Sequence, residues 1–265
     1  EASGAEQNKF IETWIRQGVS AICVAPNQPQ SLKRFVTKAH ERGIQVVTWD
    51  TDAVDSGRDL MVAQVDDRLL GETLMDELAR QMGETGEWAI AIASLDAANL
   101  NNWRRFAEAR AKQEHPELKL VATEVTKENE NEARQRVEAL LNAHPMLKGV
   151  LALDSNSVPG ACEAVKRAGK VGQVAVVGNS VPNKMRPYLK EGTLECFFLW
   201  DPRQLGELAV RAAHGLILGQ PLKPGATLEG WPAPLRFSAD DPTVIIMSDP
   251  IRFTRDNIDQ YDFGI

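Results

Sequence analysis

Five short apolar runs in this chain end on a polar or aromatic side chain, and a helical pattern follows each one. Val46-Val47-Thr48-Trp49 leads to Asp50, Ile90-Ala91-Ile92-Ala93 leads on to Asn99, and Leu151-Ala152-Leu153 leads to Asp154. Val176-Val177-Gly178 leads to Asn179, and Phe198-Leu199 leads to Trp200-Asp201. Carboxylates and amides in such places accept and donate hydrogen bonds. Ligands of an open parallel α/β sheet sit outside the carboxyl ends of its strands. The pattern therefore describes a cleft for a small polyhydroxylated molecule.

Catalytic chemistry finds little to work with. His40, His115, His144 and His214 lie on helical patterns or just before a proline, never at a strand end. There is no G-x-S-x-G elbow, phosphate loop or dinucleotide fingerprint, and no His/Cys/Asp group with zinc spacing. Asp50 and Asp52 together form only a weak cation signal. The expectation is a binding protein without enzyme activity, cofactor or metal. Cys23, Cys162 and Cys196 read as small core residues, although one pair can bond in an oxidising compartment.

Asp50 follows a β-branched and aromatic strand, which places it at the rim of a buried sheet. A carboxylate there can accept from two adjacent hydroxyls, each hydrogen bond contributing about 1.5–3 kcal/mol. Three or four such contacts reach a micromolar site, about -8 kcal/mol. The alternative for Asp50 and Asp52 is a turn cap. Trp49, Trp103 and Trp200 offer indole faces for a sugar's C–H face, with core packing as the alternative. In Asn99-Leu100-Asn101-Asn102-Trp103 the amides serve as helix caps or as ligand contacts, and Asp154 and Asn156 carry the same ambiguity.

The elements that must position these residues alternate strand and helix, which implies a mainly parallel α/β sheet. Helices are expected at about 5–17, 30–42, 67–82, 101–114, 129–143, 185–190 and 203–218, with another beginning at Ser157 and Pro159. Strands are expected at 21–25, 44–49, 60–65, 88–93, 118–125, 149–153, 174–178 and 196–199. Beyond residue 220 the chain is proline-rich, with a strand at 244–247 and a helical turn near 256–261. Gly83-Glu84-Thr85-Gly86-Glu87 is the expected domain crossing. The 265 residues suffice for two domains; 43% are hydrophobic and 25% charged, which fits a globular chain. A net charge of -7 argues against nonspecific nucleic-acid binding. No apolar run approaches a membrane span.

These junctions resemble the type I periplasmic sugar-binding proteins of ABC transporters, and within them the autoinducer-2- and rhamnose-binding group. The resemblance rests on Thr48-Trp49-Asp50-Thr51-Asp52, Asn101-Asn102-Trp103, Asp154-Ser155-Asn156-Ser157-Val158-Pro159, Pro182 to Tyr188, Leu199-Trp200-Asp201 and Asp256 to Phe263. It implies two Rossmann-like lobes, residues 1–85 with 201–222 and residues 86–200 with 223–265. A sugar, deoxysugar, polyol or autoinducer-2-like ligand would be captured between them by a monomer and delivered to an ABC permease in the periplasm or on a lipid-anchored extracellular protein. The ligand-binding residues it implies are Asp50, Asn99, Leu100, Leu153, Ser155, Asn179 and Trp200, with Leu153 and Ser155 contributing backbone groups; the strand-end chemistry described above adds Asp52, Asn102 and Asp154 as candidates.

Two departures from that pattern stand out. Asn99-Leu100 falls where the autoinducer-2 binder has Asp and Gln, which removes about two strong hydrogen bonds and favours another sugar or polyol. The family's opening strand–helix–strand unit, about 30 residues, is expected to be missing from the first lobe, leaving an open sheet edge beside Ala21–Ala25. The alternative identity is the ligand-sensing core of a LacI-type transcription regulator, which shares the fold.

Overall fold

The computed structural model describes residues 3–264. In chain order it contains α1 (Gly4–Gln17), β1 (Ala21–Val24), α2 (Pro29–His40), β2 (Gln45–Trp49), β3 (Leu60–Ala63), α3 (Asp67–Met82), β4 (Gly86–Ile92), α4 (Ala98–Glu114) and β5 (Leu118–Val125). There follow α5 (Glu130–Ala143), β6 (Leu147–Ala152), α6 (Ser157–Arg167), β7 (Ala175–Gly178), α7 (Pro182–Glu191), β8 (Cys196–Leu199) and α8 (Pro202–Ile217). The last part holds β9 (Arg236–Phe237), β10 (Val244–Ile246) and β11 (Ile251–Thr254), with 3-10 turns at Val54–Ser56 and Ile258–Gln260. The fold is the expected α/β type.

Two compact units form. The first comprises the residues up to Asp66 and Trp200–Asp249. Its sheet runs β1-β2-β3-β10-β9, parallel except for β9, with β1 at one edge. Apolar residues three and four apart give α1 and α2 one buried stripe each, with Ile11, Ile15, Leu32, Phe35, Val36 and Ala39 packed on Ile22, Val24 and Val46. Ser3 caps α1 through a reciprocal capping box with Glu6, and Gly18 ends it in a left-handed turn. The buried side of α8 is Leu205, Leu208, Ala209 and Ala212.

The second unit comprises Asp67–Leu199 and the described residues from Pro250 onward. Its parallel sheet runs β5-β4-β6-β7. A bridge from Asn179 to Phe198 continues it to β8, and β11 pairs antiparallel with β8. Helices approach closely at two glycines. A Cβ on Gly71 of α3 would stand 2.6 Å from the Trp103 carbonyl oxygen of α4. One on Gly160 of α6 would stand 2.6 Å from the Ala133 Cβ of α5.

The division of the chain differs from the expectation at three places. The first junction falls at Asp66–Asp67, not at Gly83–Glu87, because α3 buries Leu70, Leu74, Leu78 and Met82 within the second unit. Leu78 and Met82 press on Gly149 of β6. The carboxyl-terminal segment is shared: β10 pairs with β3 of the first unit, whereas β11 pairs with β8 of the second. Trp200 falls in the first unit, one residue beyond β8.

Candidate functional site

In the first unit, β2 ends at Trp49 and the chain turns sharply. Asp50 adopts φ 61, a left-handed conformation uncommon for a residue with a Cβ. Its backbone N–H reaches the Val62 carbonyl at 3.3 Å, and Thr51 N–H reaches the Trp49 carbonyl at 2.7 Å. This tight turn holds the Asp50 carboxylate in a half-buried place. Among the described residues its one hydrogen bond is a long one, 3.5 Å from the Thr51 hydroxyl. Burial raises its pKa above the ordinary carboxylate value, and the Thr51 bond only partly opposes that.

Asp52, two residues on, has a different role. Oδ1 accepts from Thr48 Oγ1 at 2.7 Å, from the Ala53 N–H at 2.7 Å and from Arg58 Nε at 2.6 Å. Oδ2 accepts from Arg58 Nη2 at 2.6 Å. The Arg58 guanidinium is buried and also donates to Thr243 Oγ1 at 2.6 Å and to Asp241 at 3.5 Å. The network ties β2 to the turn before β10. It satisfies Asp52 within the protein, and it places Arg58, not a cation, beside the carboxylate. Among the described residues no group of three or more His, Cys, Asp or Glu side chains could hold a metal ion.

At the carboxyl end of β3 stands Gln64, which the sequence reading did not single out. The residue is 3% exposed, its side chain makes no hydrogen bond among the described residues, and its carbonyl accepts from Ser248. A polar residue one step beyond Leu-Met-Val-Ala was the available signal. Trp200 is buried at the start of the first unit's second segment.

In the second unit, the polar groups at the strand ends divide in the same way. The Asp154 carboxylate is a cap: Oδ1 accepts the N–H of Asn156 at 3.0 Å and of Ser157 at 2.9 Å, and Oδ2 accepts the Ser157 hydroxyl. The Asp154 side chain therefore satisfies the backbone N–H groups at the start of α6, whose first residue is Ser157. Asn156 is held by the Glu128 carbonyl and by Lys184. Asn102 donates to Asp67 Oδ2 at 2.8 Å, and the Trp103 indole donates to Asp67 Oδ1 at 2.7 Å. Trp103 is 1% exposed, which makes it a core residue and not a stacking face. Asn101 bonds back to Ala97 and Leu95 carbonyls. Leu153 is fully buried, and the Ser155 carbonyl is taken by Ser180 Oγ at 3.1 Å.

Asn99 and Asn179 remain. Asn99 is half-buried, and among the described residues its side chain bonds only to the next N–H, Leu100. Leu100 is buried in the first turn of α4. Asn179 is buried, its backbone N–H bonds to Ala152, and its side-chain Oδ1 has no partner among the described residues. Such an atom calls for an explanation. Gly178 positions it, because a Cβ there would collide with the Ala152 carbonyl oxygen and stand 2.8 Å from Val158 Cγ2. The uncommitted groups are thus Asp50 and Gln64 in the first unit and Asn99 and Asn179 in the second. A cavity of 420 Å³ in the second unit lies at the opposite, amino end of β7 and takes no part in this arrangement.

Comparison with known proteins gives the arrangement a context. A family model described as a periplasmic binding protein domain matches residues 1–221. The D-ribose/D-allose-binding protein of Pseudomonas aeruginosa is 28% identical over 201 residues, 72% of this chain, and the chain spans 61% of that relative's length. A solute-binding protein of an ABC transporter from Clostridium phytofermentas, solved with L-rhamnose, is 26% identical with a TM-score of 0.84, covering 98% of this chain and 85% of that one. LsrB from Clostridium saccharobutylicum, solved with AI-2, is 25% identical with a TM-score of 0.83, covering 99% and 88%. The expected likeness to the autoinducer-2 and rhamnose binders is borne out by these two structures.

Proposed function

The chain belongs to the periplasmic binding protein domain family, and from that premise we propose that it is an extracytoplasmic solute-binding protein for a small neutral sugar, deoxysugar or polyol. It captures its ligand without chemical change and hands it to an ABC permease as a monomer, in the periplasm or anchored by lipid to the cell surface. One of the relatives above is a solute-binding protein of an ABC transporter and another is a D-ribose/D-allose-binding protein, and they lend the regulator alternative no support.

The observation that carries the proposal is the Asp50 carboxylate, half-buried and held by a strained turn with a single long hydrogen bond inside the protein. A half-buried carboxylate with so little hydrogen bonding inside the protein keeps its acceptor capacity open, and paired hydroxyls of a ligand fill it through charge-assisted bonds. The amides of Gln64, Asn99 and Asn179 add donors and acceptors of no net charge, which suits a neutral ligand. Asp52, Asn102, Asp154 and the Ser155 carbonyl act by holding the strand-end loops in place, since their hydrogen-bonding groups are engaged within the protein. Leu100, beside Asn99, presents hydrocarbon and favours a deoxy or less hydroxylated face over autoinducer-2.

A thermal-shift screen tests the proposal, because a ligand that binds only the folded state raises its melting temperature. L-rhamnose, D-ribose, D-allose, xylitol and autoinducer-2 make up the panel. A shift with at least one neutral sugar or polyol, larger than with autoinducer-2, is expected. No shift with any of them contradicts it.

A further inference from the structure

The turn after β2 holds the Asp50 carboxylate in a setting that bears on how the strand-end site is regulated. Its backbone is tied on both sides, by Asp50 N–H to the Val62 carbonyl at 3.3 Å and by Thr51 N–H to the Trp49 carbonyl at 2.7 Å. Arg58, on the same connection between β2 and β3, gives its guanidinium to Asp52, Thr243 and Asp241. No cation of the connection is left for Asp50.

The charges of the surrounding elements are engaged elsewhere. Asp59, at the amino end of β3, accepts from the Val46 N–H at 2.6 Å and pairs with His40 of α2 at 3.0 Å. Asp201 pairs with Arg203 at 3.4 Å at the start of α8, and Asp249, beyond β10, pairs with Arg236 of β9 at 2.9 Å. Asp55 lies on the 3-10 turn and Asp66 beyond β3. Among the described residues none of these charges governs Asp50. Burial raises its pKa, the Thr51 hydroxyl lowers it, and burial wins. Asp241, by contrast, is held below the ordinary value, first by its Thr243 bond and also by Arg58. As pH falls, a proton reaches Asp50 before Asp241.

Ionised, Asp50 offers two acceptor oxygens to two adjacent hydroxyls. Protonated, one oxygen becomes a donor and the bonds lose their charge assistance. We propose that sugar capture at this site is proton-linked: the ligand takes the ionised Asp50, any proton held there passes to the solvent, and acid weakens capture by protonating this one carboxyl. The inference rests on Asp50 being a ligand contact.

Calorimetric titration of the intact chain from pH 7.5 to pH 4 tests it, with whichever of L-rhamnose, D-ribose, D-allose and xylitol gives the largest thermal shift. Because the ionised form binds, affinity is full well above the folded-state value, which lies above about 3.9. It falls as pH drops through that value, towards about tenfold per pH unit. A loss of at least about twofold by pH 4 is expected, the loss at which a single group is half protonated. Asp50→Asn binds more weakly at pH 7 and with an affinity flat over the same window. The side-chain carboxyl carbon resonance of Asp50, assigned by its absence in Asp50→Asn, titrates above the ordinary range in the free protein and lower in the complex. Affinity unchanged down to pH 4, an equal fall in Asp50→Asn, or a resonance whose titration does not move on binding overturns the proton link and leaves the contact standing. Unchanged affinity in Asp50→Ala at pH 7 is the separate failure, which removes the contact and the link together.

Discussion

Arg58 grips Asp52 through two hydrogen bonds of 2.6 Å each. That pairing separates the roles of two carboxylates standing two residues apart on the same turn. Asp52 is occupied by the protein, while Asp50 keeps only the Thr51 hydroxyl at 3.5 Å.

Asp52→Ala is therefore a stability variant. It leaves the Arg58 guanidinium buried without its bidentate partner, and breaking such a pair costs about 3–5 kcal/mol. Denaturant unfolding should show a loss of that order. Asp50→Asn, by contrast, should leave the unfolding midpoint within about 0.5 kcal/mol of the parent, because asparagine tolerates the left-handed conformation. A larger loss in Asp50→Asn than in Asp52→Ala would reverse the two assignments.

Asn179 predicts an opposition of stability and affinity. Its Oδ1 is buried and unpaired, so replacing the amide with an apolar side chain of similar size, Asn179→Leu, removes a buried polar group without breaking an internal side-chain bond. Thermal unfolding without ligand should occur at an equal or higher temperature. Sugar affinity should fall at least about tenfold, the equivalent of one hydrogen bond. A drop in melting temperature with unchanged affinity would show that the amide serves the fold.

Gly178→Ala should disturb both properties. The new Cβ meets the Ala152 carbonyl and Val158, and overpacking of this kind costs about 1–3 kcal/mol. Because Asn179 follows directly, its side chain is displaced as well. Circular dichroism melting and ligand titration of the same sample read the two effects together.

His115 predicts a pH dependence within the second unit. Its ring bonds to Glu84 at 2.6 Å and to Asp76 at 2.9 Å, and Arg110 holds Asp76 from the other side at 2.7 Å. Partial burial pulls the imidazole pKa down, but the two carboxylates outweigh it and raise it above the usual value. A raised folded-state value means that the charged form favours the fold. The stabilisation is complete below about pH 6.5, the unfolded value, and is lost as pH rises through the higher folded value. His115→Gln should flatten the fall in stability over that window, measured by denaturant unfolding at pH 6 and pH 9.

Most elements were legible in the sequence because their apolar periods are clear: Leu32, Phe35, Val36 and Ala39 on α2, and Leu205, Leu208, Ala209 and Ala212 on α8 are the buried faces observed. The ownership of α3 was not, since a glycine-bounded helix end reads like a domain crossing until Gly71 is seen against α4. The two-residue β9 and the four-residue β11 carry too little periodicity to stand out from a proline-rich stretch. At the strand ends, residue type singled out polar groups but could not separate those held within the protein from those left uncommitted. Asp52 was claimed by Arg58 and Asn102 by Asp67 through side chains 6 and 35 residues distant, and spacing carries no trace of such pairings.

The most direct measurement is calorimetric titration of the parent protein, Asp50→Asn and Asp50→Ala with the neutral sugar giving the largest thermal shift. The account predicts binding near the micromolar range by the parent and at least about 100-fold loss in Asp50→Ala, equivalent to two charge-assisted bonds. Asp50→Asn should lie between them. Unchanged affinity in Asp50→Ala would contradict the claim that this carboxylate holds the ligand.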